Sequence, residues 1–185
     1  MEFREEKSRL RRACLEKLKD ISQDGRREIS RRICERLFSS PEYLRAGGIF
    51  CFVGCGAEID TRPFLRRAAA DGKKVYVPRC RSAGEMDAVQ IRGEEDLVPG
   101  KYGIPEPPPD FPAADRDEIG LAVVPCLAAD ADAWRLGRGG GYYDRFLEGF
   151  CGDTLLVCPE ALVLPRVPRE KWDRKCGRLI TEDRG

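Results

Sequence analysis

The chain is predicted to fold as a single α/β domain spanning residues 1–185. A mostly parallel sheet is flanked by helices in a Rossmann-like layered arrangement, with a helical N-terminal segment over residues 1–46 packed on it. Three observations point there. Apolar residues in the first quarter recur at helical spacing. From residue 49 the period changes to short apolar runs rich in β-branched and aromatic residues. Those runs then alternate with helical stretches, the order that gives parallel strands joined by right-handed crossovers.

Taken in order, residues 2–22 place Leu10, Cys14, Leu18 and Ile21 on one stripe with charges around the rest. Residues 26–38 repeat the pattern with Ile29, Ile33 and Leu37. Ser40 and Pro41 read as an N-cap and first-turn proline of a short third helix. Ile49–Val53 is a predicted strand. Thr61-Arg62-Pro63 is expected to cap a helix running to Asp71-Gly72, and Lys74–Val77 to form a strand stopped by Pro78. Ala88–Ile91 is a third strand, and Gly93–Pro112, rich in Pro, Gly and acid, a long surface loop. Leu121–Val124 is continuously apolar, as in the centre of a parallel sheet. A helix over Tyr142–Phe150 and strands at Thr154–Val157 and Arg178–Thr181 complete the series.

Composition narrows the function. With 185 residues, 42% hydrophobic and 35% charged, the chain has enough apolar content for a core. The formal net charge of +1 argues against a general polyanion binder, so no nucleic-acid partner is expected. The Arg-rich first quarter reads as solvated helix surface. Histidine is absent, which excludes Ser-His-Asp and Cys-His catalysis and every imidazole-ligated metal site. The nine cysteines are odd in number and form no CxxC, so they read as reduced structural thiols of a reducing compartment. A redox role for Cys51 and Cys55 is the alternative. The N-terminus does not read as a signal peptide, and no apolar run approaches the ~20 residues of a membrane helix. A cytoplasmic protein without membrane contact is therefore expected. That it is a monomer acting on small molecules is a separate expectation, which these features do not imply.

The chemistry concentrates in Arg135-Leu136-Gly137-Arg138-Gly139-Gly140-Gly141-Tyr142-Tyr143-Asp144. Four glycines in five positions let the backbone bend tightly and present its N–H groups. The predicted helix that follows would aim its N-terminal dipole at whatever the loop holds. Arg135 and Arg138 suit phosphate oxygens, and Asp144 at the rim suits a magnesium ion bridging them. The reading is a nucleotide-triphosphate loop. It is neither a Walker A loop, since no Gly-Lys-Ser/Thr follows, nor GxGxxG, since Tyr142 stands three after Gly139.

The same residues, with Val123-Val124-Pro125 and Asp130 before them, resemble the signature of the 5-formyltetrahydrofolate cyclo-ligase family, also called 5,10-methenyltetrahydrofolate synthetases. Further blocks resemble that family in order along nearly the whole chain. They are Lys7 with Leu10-Arg11, Glu58-Ile59-Asp60-Thr61, Val77-Pro78-Arg79, Met86, Gly103-Ile104-Pro105-Glu106-Pro107, Pro168 with Glu170 and Asp173, and Ile180-Thr181-Glu182. The glycine loop with Tyr-Tyr-Asp is the specific part.

The resemblance implies a ligase that converts 5-formyltetrahydrofolate to 5,10-methenyltetrahydrofolate with ATP as co-substrate and Mg2+ as cofactor, releasing ADP and phosphate. By the same resemblance Arg138 and Lys7 are catalytic. ATP is bound by Lys7, Arg11, Arg135, Leu136, Gly137, Arg138, Gly139, Gly140, Gly141, Tyr142 and Tyr143. The reduced folate meets Val53, Glu58, Tyr102, Arg138, Gly139, Gly140, Gly141 and Tyr142, while Asp144 and Asp173 hold the metal. Solvated helix surface is the alternative for Lys7 and Arg11, a loop acid near Lys171 for Asp173, and a surface tyrosine for Tyr102. The family's usual pattern is replaced by Ala129, Ala133, Leu162 and Trp172, mostly on the folate side. That raises a second reading, a divergent paralogue with the ATP loop and a different acceptor.

Overall fold

The computed structural model of the protein describes residues 2–100 and 103–185. Tyr102, a predicted folate contact, lies outside the described residues. Three helices open the chain: α1 (Glu2–Asp20), α2 (Gln23–Ser39) and α3 (Pro41–Arg45). Ser22 caps α2 by accepting the N–H of Gly25, and Ser40 caps α3 by accepting that of Tyr43. Pro41 occupies the first turn of α3, where its missing N–H removes no helical bond.

The main sheet has six strands in the order β11-β9-β6-β1-β2-β3. They are β1 (Gly48–Cys51), β2 (Lys74–Ser82), β3 (Glu85–Ile91), β6 (Leu121–Pro125), β9 (Asp153–Val157) and β11 (Arg178–Ile180). All neighbours run parallel except β3, which pairs antiparallel with β2. Leu121, Ala122, Val123 and Val124 are fully buried because helices cover both faces of the sheet. Odd residues Leu121 and Val123 pack with Ile33 and Leu37 of α2 and Phe64 of α4 (Arg62–Ala70). Even residues Ala122 and Val124 pack with Cys14 and Leu18 of α1 and Phe146 of α5 (Tyr142–Leu147). Each fully buried Leu, Ile or Phe in these layers contributes about 1.5–3 kcal/mol.

From β1 the chain steps to β2 on one side of the sheet, while β6, β9 and β11 extend the other side. The carboxyl ends of β1 and β6 therefore part, and such a switch point opens a crevice.

Several elements differ from the sequence reading. β2 does not stop at Pro78 but runs to Ser82. Lys74 N–H is given to Gly47 O, on the β1 side, and the strand period turns the Pro78 nitrogen to that same side. The β1 register ends at Phe50–Tyr76, so no ladder bond is lost at the proline. The expected loop 93–112 contains a 3-10 turn (Glu94–Asp96) and an antiparallel pair of two-residue strands, β4 (Val98–Pro99) with β5 (Pro105–Glu106). A second sheet of β10 (Val163–Leu164), β7 (Ala128–Asp130) and β8 (Arg135–Leu136) was not foreseen, because its strands are too short to show a period. Thr61 precedes α4 but does not cap it with its side chain. Its hydroxyl donates to Phe52 O, and the Asp60 carboxylate accepts the Arg62 N–H instead. Finally α5 ends at Leu147, three residues short of the expected end, where Glu148 turns extended and Gly149 takes φ +72°.

Candidate active site

Gly137–Gly141 crosses the carboxyl end of the sheet between β8 and α5. Gly139 (φ +102°) and Gly141 (φ +70°) hold left-handed backbone that a side chain would strain. Arg145 fixes the loop's shape, donating from Nε to Gly84 O at 2.6 Å and from Nη2 to Gly140 O at 2.5 Å. Sequence reasoning missed Arg145, because its partner Gly84 belongs to the β2–β3 turn 61 residues away. With only six residues, α5 has too few aligned peptide units for the expected N-terminal dipole to carry much weight.

α1 brings one cation to this loop and a second to the segment 170–173. Lys7 and Arg11 lie one turn apart on one face. Arg11 Nε donates to Gly137 O at 2.8 Å. Lys7 is buried, and its Nζ stands 2.6 Å from Asp173 Oδ2 and 2.8 Å from Glu170 Oε2. Neither is the solvated helix surface that the sequence left open.

The two arginines of the motif part company. Arg138 is exposed on the loop. Its Nε and Nη2 donate to Glu58 Oε1 at 3.0 and 2.9 Å. Arg135 is on β8 and buried, with both Nη groups on Asp144 Oδ1 at 2.9 and 2.8 Å. Its guanidinium is turned to Asp144 and braces that carboxylate. The side chain of Leu136 is likewise in the core, which leaves only its backbone for a ligand. Val53 is buried with Ile59 and Phe64, whereas its neighbour Phe52 faces the cleft described below.

The paired tyrosines also diverge. Tyr142 OH donates to Ser82 O at 3.3 Å. Tyr143 turns inward, its ring 6.4 Å from that of Phe50, and burial pushes its phenol well above the ordinary value.

Beside the Arg138–Glu58 pair an open, shallow cleft runs over the ends of β1, β6 and β9. Leu18, Phe52, Leu127 and Leu162 make its apolar walls. Glu58 is steadied by the Cys55 N–H, which donates to Oε2 at 3.3 Å. Burial, then the Glu58 charge, raises the Cys55 thiol. Of the substituted positions, Leu162 lines this cleft, Ala129 and Ala133 are core, and Trp172 is exposed.

Asp144 accepts the Arg174 N–H as well as Arg135, all on Oδ1, while Asp173 accepts Lys7 and the Glu170 N–H on Oδ2. Each carboxylate thus keeps one oxygen clear of these bonds. Two carboxylates of this kind suit a hard cation that takes its other ligands from phosphates and water. Among the described residues no cluster of three or more His, Cys, Asp or Glu makes an all-protein metal cage.

Asp130 is a buried support that the sequence did not assign to any contact. It accepts the Trp134 N–H on Oδ1, and the Val167 N–H and Arg169 Nη2 on Oδ2, each of the latter at 3.0 Å. These bonds tie β7 to the segment that ends in Glu170 and Asp173.

A model of the 5-formyltetrahydrofolate cyclo-ligase family matches residues 3–182. A probable 5-formyltetrahydrofolate cyclo-ligase of Schizosaccharomyces pombe is 28% identical, over 82% of this chain and 83% of the relative. The 5-formyltetrahydrofolate cyclo-ligase of Escherichia coli is 27% identical, over 87% and 92%. The solved structure of Aquifex aeolicus 5,10-methenyltetrahydrofolate synthetase superposes with a TM-score of 0.85 at 29% identity, covering 96% of this chain and 90% of that one.

Proposed function

The chain belongs to the 5-formyltetrahydrofolate cyclo-ligase family, and from that membership we propose that it is a ligase converting 5-formyltetrahydrofolate to 5,10-methenyltetrahydrofolate, with ATP cleaved to ADP and phosphate. The observation that carries the reading is the meeting of Arg11, Arg138 and Glu58 at one glycine loop beside the cleft, with Lys7 one turn before Arg11 on the same face of α1.

In this reading the formyl oxygen takes the γ-phosphoryl group of ATP. The neighbouring folate nitrogen attacks the activated carbon and loses its proton, and phosphate leaves. An amide oxygen carries no proton, so its attack needs no general base, which suits a chain without histidine. The step instead needs alignment and charge stabilisation. Arg138 and the N–H groups of Gly139–Gly141 supply these at the transferring phosphoryl group. Lys7 and Arg11 hold the phosphates from α1, while Glu58 accepts hydrogen bonds from the pterin and Tyr143 supports the loop from beneath. Asp144 and Asp173 would hold Mg2+, which when bound offsets the negative charge of the phosphates. Arg135 keeps Asp144 in place.

We further propose one domain over residues 1–185, working as a monomer in the cytoplasm on small molecules. Buried thiols such as Cys51 and Cys158 suit a reducing compartment.

The test is to mix the protein with magnesium-ATP and 5-formyltetrahydrofolate and follow methenyl absorbance and phosphate together. The expected result is one phosphate per methenyl product, with little ATP hydrolysis when folate is omitted, because an empty pocket leaves only poorly placed water. ATP binding without folate-dependent turnover would instead support the divergent-paralogue reading.

A further inference from the structure

The ion pair between Arg138 and Glu58 joins a residue assigned to ATP with one assigned to folate, and no substrate is needed to form it. Arg138 gives the Nε–Nη2 edge of its guanidinium to Glu58 Oε1, at 3.0 and 2.9 Å. That edge is one of the two a guanidinium uses on phosphate oxygens, so a phosphate that takes it competes with Glu58. The two partners are unequally held. The Arg138 side chain is 58% exposed and Glu58 only 23%. Glu58 is further anchored through Oε2 by the Cys55 N–H. The arginine is therefore the partner free to swing, and the glutamate stays where it is.

We propose that Glu58 is a positioning residue for Arg138, coupling the two substrates. It keeps the guanidinium edge off the phosphate site until N–H groups of the reduced folate occupy its Oε1. The inference rests on the assignment of the glycine loop to ATP and of Glu58 to folate. Folate binding then releases Arg138 and tightens ATP, and by linkage ATP tightens folate by the same factor. A pair this exposed is modest in strength, so the coupling is about two- to fivefold.

The experiment is calorimetric titration with a magnesium-loaded, non-hydrolysable ATP analogue, with and without saturating 5-formyltetrahydrofolate. Wild type should bind the analogue about two- to fivefold more tightly when folate is present. Glu58→Gln keeps the side chain's shape and removes its charge. It should bind the analogue alone more tightly than wild type does, by a similar factor, and gain nothing further from folate. A purely structural or purely folate-binding Glu58 would leave affinity for the analogue alone unchanged, and that result overturns the inference while the ATP assignment stands. If neither protein binds the analogue, the ATP assignment falls and the inference falls with it. Should Glu58→Gln not fold, Arg138→Ala carries the test. It has no guanidinium to release, so its weaker binding of the analogue must be insensitive to folate, and any retained coupling refutes the proposal.

Discussion

Lys7 Nζ lies 2.6 Å from Asp173 Oδ2, a buried ion pair that ties the first helix to the last segment across 166 residues of sequence. The same carboxylate oxygen accepts the Glu170 N–H at 2.7 Å, so one contact closes the 170–173 turn and seats α1 against it. Arg11, one turn on, then reaches Gly137. The ion pair thus helps set where Arg11 meets the glycine loop.

Replacing Lys7 with Met keeps the apolar stem but leaves Asp173 and Glu170 without their counter-charge. Breaking a buried pair from one side is costly, and partial exposure of the two acids softens the loss to roughly 2 kcal/mol. Urea unfolding should show that decrease, and turnover measured well below the melting point should fall further than stability alone accounts for.

Arg138→Ala removes an exposed loop side chain, so melting should scarcely move. Loss of one charge-stabilising donor should lower kcat by ~10²-fold. Full activity in this variant would end the assignment of the loop to the transferring phosphoryl group.

Asp144→Asn keeps size but removes a hard anionic ligand, and weakens the partner of buried Arg135. The magnesium concentration for half-maximal activity should rise, with melting lowered by an amount equivalent to about 1 kcal/mol. An unchanged magnesium titration would leave Asp144 as the brace of Arg135 alone.

Asp130 makes a pH prediction. Burial by itself would push its carboxyl up, but the N–H groups of Val167 and Trp134 and the Arg169 guanidinium outweigh burial and hold it below the usual carboxylate range. A carboxyl lowered on folding stabilises the protein above its unfolded value, ~3.9, and that stability is lost as pH falls through the folded value. Asp130→Asn should therefore cost roughly 2 kcal/mol at neutral pH. Its stability curve should converge on that of wild type as pH drops below ~4. Parallel curves down to the acid limit would contradict this.

The α/β class, the three opening helices, the central strand at 121–124 and the glycine loop were all legible in the sequence. Each depends on local physics: apolar period, capping residues, or glycine's access to left-handed backbone. Absence of histidine likewise settled which catalytic classes were closed. Tertiary structure alone decided the rest. It carried β2 past Pro78, because only the strand order shows that no neighbour needs that N–H. It assembled the small sheet of β7, β8 and β10 from pieces too short to carry a period. It also separated two arginines three residues apart in the sequence, burying Arg135 on Asp144 and leaving Arg138 on the surface with Glu58. Residue type specifies what a guanidinium is able to bind. Which carboxylate comes within 3 Å depends on long-range chain placement, and the pairing of Arg138 with Glu58 spans 80 residues that no local pattern links.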